Sequence, residues 1–324
     1  MPGSTRILAT APIPPIGREM LGAVGEVIVA EAGDEAELAC AEVLIVRSQS
    51  VDSSLLERAP RLRALARTGT GLDKIDLVAA TRRSVPVLYA PDAGTRPVAE
   101  GTLALIFATM KRLYELRLLV SENRWAERYD YEVRDLDGAT LGIVGLGRIG
   151  SEVARLAAGI GMKVIYHDAR NHIEDPAFGA GRAAGLAPLF RESDVISLHC
   201  NLSETTRGMI DRELLSQAKP GAILINASRG ELIDGTALLA EALDRGWLAG
   251  VGLDVFPTEP PRGCQPLVDD PRVVCTPHSI GLTRAWNRRV FGSLASDIGL
   301  LLAGGAPVNI ANPEVLNADA TGRS

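Results

Sequence analysis

The stretch ATLGIVGLGRIGSEVARLAAGIGMKVIYHD, residues 139–168, constrains this chain more than any other. An apolar, strand-like run ends in Gly145, Gly147 and Gly150 at G-x-G-x-x-G spacing, and an amphipathic helical pattern follows directly. The first glycine permits a tight turn, the second lets the backbone approach a pyrophosphate, and the third lets helix and strand pack closely. The helix start then offers unpaired N–H groups and a positive dipole end to phosphates. A second strand-like run ends in Asp168, 18 residues after Gly150, where a carboxylate can accept from ribose hydroxyls. Strand, glycines, helix, strand and acid in this order point to a dinucleotide. The acid favours NAD over NADP by repelling a 2′-phosphate, while Arg170 close by is able to cradle one.

The rest of the chain repeats the same alternation. RILAT, EVIVA, EVLIVRS, LRALART and VPVLYA read as five strands within the first 90 residues, with helical candidates such as DSSLLERA and KIDLVAATRR between them. A helix-like stretch opens at Thr95-Arg-Pro97 and runs to about Glu122. Six further strands follow in ATLGIVG, KVIYHD, DVISLHC, AILINAS, LAGVGLDVF and RVVCTPH. Alternating β and α at this spacing implies parallel sheets covered on both faces. The tail from Arg284 to Gly304 is amphipathic and comes too late to belong to the second sheet. The expectation is α/β: two doubly wound parallel-sheet domains, one inserted into the other, with a cleft between them. Residues 1–96 and 285–324 form the outer domain and residues 97–284 the inserted dinucleotide domain.

Composition removes several function classes. With 324 residues and a net charge of −6, acidic and basic residues interspersed, the chain presents no basic block suited to nucleic acid. Its apolar runs are far shorter than the ~20 residues needed to cross a bilayer, and its N-terminus lacks the order of a signal peptide. Four scattered cysteines, without metal-type pairing, suit a reduced, cytoplasmic protein and no metal.

Three more stretches carry titratable chemistry at strand ends. AILINASRGELID delivers Arg229 at the edge where open α/β sheets bind ligands, and a guanidinium fork suits a carboxylate. GVGLDVFPTEPP carries Asp254 near the end of an apolar strand and Glu259 in a proline-flanked loop. VVCTPHSIG places His278 where an apolar run stops. Singly, these read as a surface arginine, a rigid acidic loop and a structural histidine. As a set on one sheet edge they read as anion anchor, orienting carboxylate and general acid.

Together the stretches resemble the D-isomer-specific 2-hydroxyacid dehydrogenase family, through VRS, RTGTGLDKIDL, AATRRSVPV, VAEGTLAL, GLGRIG, NASRGELID, LDVFPTEP and TPHSIG. The resemblance implies a Rossmann cofactor domain inserted into a flavodoxin-like substrate domain. It implies reversible hydride transfer between NAD(H) and a small anionic 2-keto or D-2-hydroxy acid. Arg229 would anchor substrate and polarise its carbonyl, His278 would donate or accept the proton, and Glu259 would tune and orient His278. The Gly69-Thr70-Gly71 loop would offer N–H groups to the substrate carboxylate. Beside that resemblance, Arg47 and Arg96 read either as solvated arginines or as a site for a second anionic group. The cofactor set comprises Thr70, Gly145, Gly147, Arg148, Ile149, Gly150, Asp168, Cys200, Ala227, Ser228, Asp254, His278 and Gly281. Within that set, Asp254 and Ala227 would hold the carboxamide. A homodimer joined through the cofactor domains is also implied.

The chain departs from the family pattern at Asn201, where proline is usual, at Ile280, where glycine is common, and at Gly101, where bulkier residues are common. An NAD-sensing corepressor of the same fold and a phosphite dehydrogenase are the alternative readings. Formate chemistry is disfavoured by Glu259, because glutamine is usual there.

Overall fold

The computed structural model describes residues 4–31, 34–170 and 179–318. Residues 1–3 and 319–324, the ends of the expected substrate-binding domain, lie outside the described residues. The chain divides into two compact units, Met1–Gly94 with Leu282–Ser324, and Thr95–Gly281.

The first unit is built on five parallel strands: β1 (Arg6–Ala9), β2 (Glu26–Val29), β3 (Val43–Val46), β4 (Ala64–Arg67) and β5 (Val87–Leu88). They lie in the order β2-β1-β3-β4-β5. Period-2 alternation feeds two cores at once: Leu8, Leu44 and Leu65 face one cluster, while Ile7, Ile45 and Ala64 face the other. The late helix Arg284–Leu302 joins this unit, because Trp286, Val290, Phe291, Leu294 and Ile298 complete the second cluster. Each such burial is worth about 1.5–3 kcal/mol relative to exposure, enough to recruit a segment far along the chain. Thr283 starts the helix by accepting from Trp286 N at 3.0 Å.

The second unit holds seven parallel strands: β6 (Thr140–Val144), β7 (Lys163–His167), β8 (Gly181–Arg182), β9 (Val195–Leu198), β10 (Ala222–Asn226), β11 (Leu248–Leu253) and β12 (Val273–Cys275). Their order is β12-β11-β10-β9-β6-β7-β8. In β10, Ala222 and Leu224 face one core while Ile223 and Ile225 face the other. Strand order reverses between β9 and β6, a topological switch point of the kind where open α/β sheets hold ligands.

Two features depart from the sequence expectation. The two-residue edge strand β8 has no apolar alternation to announce it, and both its residues are exposed. The helix expected from Thr95 to about Glu122 is two helices, Thr95–Met110 and Leu113–Ser121. Arg112 breaks it in the left-handed region at φ 51°. Its guanidinium pairs with Glu115 at 2.7 Å and lies 4.9 Å from the Tyr131 ring centre. No helix among the described residues is long and apolar enough to cross a membrane.

Candidate active site

Strand register fixes the layout of the second unit. His167, Val144, Leu198, Asn226, Leu253 and Cys275 are consecutive partners across β7, β6, β9, β10, β11 and β12. All six strands are parallel, so the residues after this row leave the sheet along one edge, spaced about 4.8 Å per strand. Those residues are Asp168, Gly145, His199, Ala227, Asp254 and Thr276.

The glycine turn sits at the switch point. Gly145 has φ +93°, and a Cβ there would stand 2.7 Å from Cys200 N, so the β6 turn and the β9 turn touch through main chain. A Cβ on Gly147 would meet nothing within 4 Å, leaving room beside the turn. The helix Arg148–Ala158 starts at Gly147 with no side-chain cap bond, so its first turn presents backbone N–H groups that the helix itself does not use. Ile149 packs on the core while Arg148 is exposed. Asp168 is 8% exposed and its carboxylate accepts from Leu146 N at 2.8 Å, so the acid after β7 also holds the turn after β6. The Arg170 guanidinium holds the Asp168 carboxyl down at about 2. Open turn and uncapped helix start as donors, with an ionised acid as acceptor, fit a dinucleotide.

Two buried polar residues, Asn226, which sequence reasoning missed, and Asp254, shape the neighbouring loops. Asn226, fully buried, accepts from Ser228 N at 3.0 Å and donates to Arg229 O at 2.8 Å. That pair of bonds folds Ala227–Arg229 into a compact turn, while Ser228 Oγ donates to Cys200 O at 2.6 Å. Burial pushes the Cys200 thiol up to about 11, so this residue contributes shape and a carbonyl rather than a thiolate. The resemblance gives Asp254 to the cofactor, and in the structure its Oδ1 holds the histidine loop. It accepts from Thr276 Oγ1 at 2.6 Å, Ser279 N at 2.7 Å and Ile280 N at 3.2 Å. Burial pushes its carboxyl above the usual range, against the pull of those donors. The legible signal in both cases is a polar residue closing an otherwise apolar strand.

His278 stands in the loop that Asp254 holds. It has φ 51°, a left-handed conformation that costs on the order of 1 kcal/mol outside glycine, and the bonds to Asp254 offset that strain. His278 Nδ1 lies 2.9 Å from Glu259 Oε2 and 3.0 Å from Oε1. Glu259 Oε1 also accepts from Phe256 N at 3.3 Å, which ties the carboxylate to its own loop. A carboxylate on Nδ1 fixes the proton there and leaves Nε2 for chemistry. The loops of Arg229 and Glu259 also meet: a Cβ on Gly230 would stand 2.1 Å from Phe256 C. Two other histidines are held below the usual imidazole range by burial. Burial pushes His199, bonded to Ser197 Oγ at 2.8 Å, down to about 4, and it lowers His167 as well. The fourth, His172, lies outside the described residues.

The remaining sequence candidates fall elsewhere. Arg47 follows β3 and Gly69, Thr70 and Gly71 follow β4, all at the carboxyl edge of the first unit's sheet. Arg67, which sequence reasoning missed, shapes that loop by donating from Nε to Gly71 O at 3.1 Å and from Nη1 to Thr68 O at 3.3 Å. Arg47 lies 6.0 Å from the Trp286 ring centre, in a small crevice lined also by Pro12, Thr68 and Asn287. Arg96 has structural partners of its own, Glu100 at 2.5 Å and Glu152 at 2.8 Å, so it ties helix Thr95–Met110 to helix Arg148–Ala158. Among the described residues, no group of three or more His, Cys, Asp or Glu side chains could hold a metal ion.

Gly101 and Ile280, two departures noted in the sequence, prove to be one. A Cβ on Gly101 would stand 2.5 Å from Ile280 Cβ and 3.0 Å from its carbonyl oxygen. The helix thus gives up a side chain where the histidine loop gains one. Gly101→Ala is expected to destabilise the chain by about 1–3 kcal/mol through overpacking. The double variant Gly101→Ala/Ile280→Gly should lose less than the sum of the single variants, by about 1 kcal/mol or more. Urea unfolding measures this, and strict additivity would show that the two positions do not press on each other.

A seven-stranded sheet with its glycine turn at the switch point defines a dinucleotide-binding unit of Rossmann type. Residues 103–279 match the model of the D-isomer specific 2-hydroxyacid dehydrogenase, NAD binding domain. A glyoxylate reductase of Korarchaeum cryptofilum is 37% identical over 281 residues, covering 86% of this chain and 84% of that protein. A D-3-phosphoglycerate dehydrogenase of Bacillus subtilis is 38% identical over 86% of this chain, but only 52% of its own length is matched. The structure of a D-lactate dehydrogenase from Aquifex aeolicus, complexed with NAD and lactic acid, superposes with a TM-score of 0.86 at 28% identity. That match covers 95% of this chain and 99% of the other. The chain belongs to the D-isomer-specific 2-hydroxyacid dehydrogenase family.

Proposed function

We propose that this chain catalyses reversible hydride transfer between NAD(H) and C2 of a small anionic 2-keto or D-2-hydroxy acid. The observation that carries the reading is the shared row. The His278–Glu259 pair, the Arg229 turn and the glycine turn leave one sheet along one edge. NAD(H), when bound, supplies or takes up the hydride. Gly145, Gly147, Arg148, Ile149, Gly150 and Asp168 would hold its pyrophosphate and ribose, with Thr70, Cys200, Ala227, Ser228, Asp254 and Gly281 bordering the remainder.

The chain's own residues do the rest. Glu259 keeps the proton on His278 Nδ1 and stabilises the ring when it is charged. His278 Nε2 gives a proton to the carbonyl oxygen in reduction and takes it back in oxidation. Arg229 binds the acid's carboxylate and stabilises charge developing on the reacting oxygen. The Gly69-Thr70-Gly71 loop offers N–H groups to the substrate, and Arg47 offers a second positive charge. Arg96 would first have to leave Glu100 and Glu152. The chain is proposed to act as a homodimer, which the exposed Val120, Trp125 and Tyr129 support and which sedimentation as a monomer would refute. Four free thiols suit a reducing compartment such as the cytoplasm.

The test is NADH oxidation with a panel of 2-keto acids, including glyoxylate, hydroxypyruvate and pyruvate. At least one should be turned over, with Arg229→Ala slower by two orders of magnitude or more, as expected for a lost charge-stabilising donor. Turnover of none, with NADH still bound, would sink the reading.

A further inference from the structure

The acid expected to receive the ribose is already covered. Asp168 Oδ1 accepts from Arg170 N and Nε, both at 2.9 Å, and Oδ2 accepts from Arg170 Nη2 at 3.0 Å and Leu146 N at 2.8 Å. Arg170 Nη2 also donates to Leu146 O at 3.1 Å, so the guanidinium lies across both the acid and the main chain of the glycine turn. Its other side faces out, with 64% of the side chain exposed. A second guanidinium backs the same corner: Arg182 Nη2 donates to Asp168 O at 3.1 Å and to Arg170 O at 3.3 Å. Arg182 belongs to β8, the edge strand paired to β7 beside Tyr166.

An acid at this position excludes a 2′-phosphate by repulsion when its charge is bare. Here the Arg170 guanidinium lies on that carboxylate, so its charge is not bare. Both lone-pair faces of the carboxylate are also spoken for, and ribose hydroxyls must displace Arg170 to reach them.

The geometry points to Arg170 as the residue that sets cofactor choice: it competes with the ribose of NADH for Asp168, and it binds the 2′-phosphate of NADPH, so the chain accepts both cofactors. The inference rests on the proposed dinucleotide reading of this unit. Arg170 does this by exchanging one anion for another. With NADH it swings off the acid and gains nothing in return. With NADPH it keeps an anionic partner in the added phosphate while Arg182 stays on the main chain below.

Binding of each cofactor alone, measured by titration calorimetry without substrate, tests this. Wild type should bind NADPH within about tenfold of NADH. In Arg170→Ala, NADPH should weaken about tenfold or more, the size of one charge-assisted contact at an exposed site, while NADH tightens severalfold. Arg170→Lys should recover part of the NADPH affinity but not the fork on Asp168, and added salt should erode the NADPH term more than the NADH term. A ratio of the two affinities unchanged in Arg170→Ala would overturn the proposal. So would a parallel loss of both cofactors, since Arg170 would then only be holding the acid in place. Failure of wild type to bind either dinucleotide would instead overturn the underlying reading, and the proposal with it.

Discussion

His278→Ala is expected to lower turnover by a factor of about 10²–10⁴, the usual worth of a positioned general acid–base group, while NADH still binds. The ring leaves the sheet beyond β12, whereas the glycine turn lies beyond β6, four strand positions away in the sheet order. Removing it therefore spares the turn and the helix start. Glu259→Ala should cost less than His278→Ala, because the carboxylate acts through the imidazole it holds at 2.9 Å. The double variant should then be no slower than His278→Ala alone, since a residue that works through another adds nothing once that partner is gone. Steady-state kinetics on the four proteins reads this cycle. Multiplicative losses in the double variant would remove Glu259 from its assigned role, and full activity in His278→Ala would remove the histidine.

Asp254→Ala carries the second large expectation. It takes the acceptor from Thr276 Oγ1, Ser279 N and Ile280 N at once. Asp254 itself is 3% exposed, so its removal also leaves space in a packed region. Unmet donors at a buried site cost about 1–3 kcal/mol each when water cannot fully replace the lost partner. A net loss of about 2–4 kcal/mol is therefore expected. Turnover should fall with it, because the loop that holds His278 at positive φ loses its anchor. Asp254→Asn keeps one acceptor oxygen and removes the burial cost of a charge, so its stability should stay within about 1 kcal/mol of wild type. Thr276→Val, which removes one donor only, should cost about 1 kcal/mol. Denaturant unfolding ranks the three. An Asp254→Ala chain as stable as wild type would show that the loop is held by something else.

Much of the fold was legible because parallel strands buried on both faces need continuous apolar runs, and eleven of them stand out in the sequence. β8 did not, since an exposed two-residue edge strand carries no pattern. The break at Arg112 was hidden as well: nothing local to Lys111-Arg112 stops a helix, and the left-handed residue is held by Glu115 and Tyr131. At the candidate site, residue types were readable and their neighbours were not. Nothing near Asp254 in the sequence announces that its Oδ1 holds Thr276, Ser279 and Ile280, 22 to 26 positions further on. Asp168 looked available to a ribose, and only the folded chain puts Arg170 across it.

By itself the sequence determined the class of fold, the glycine turn with its acid, and the kinds of side chain each strand end delivers, because periodicity and turn chemistry are local properties of a chain. Register decided the rest: which strand ends share a row, which polar residues are consumed in holding loops, and that Gly101 and Ile280 compensate each other. Those are facts about atoms brought within bonding distance from positions tens to hundreds of residues apart, and no local pattern encodes them.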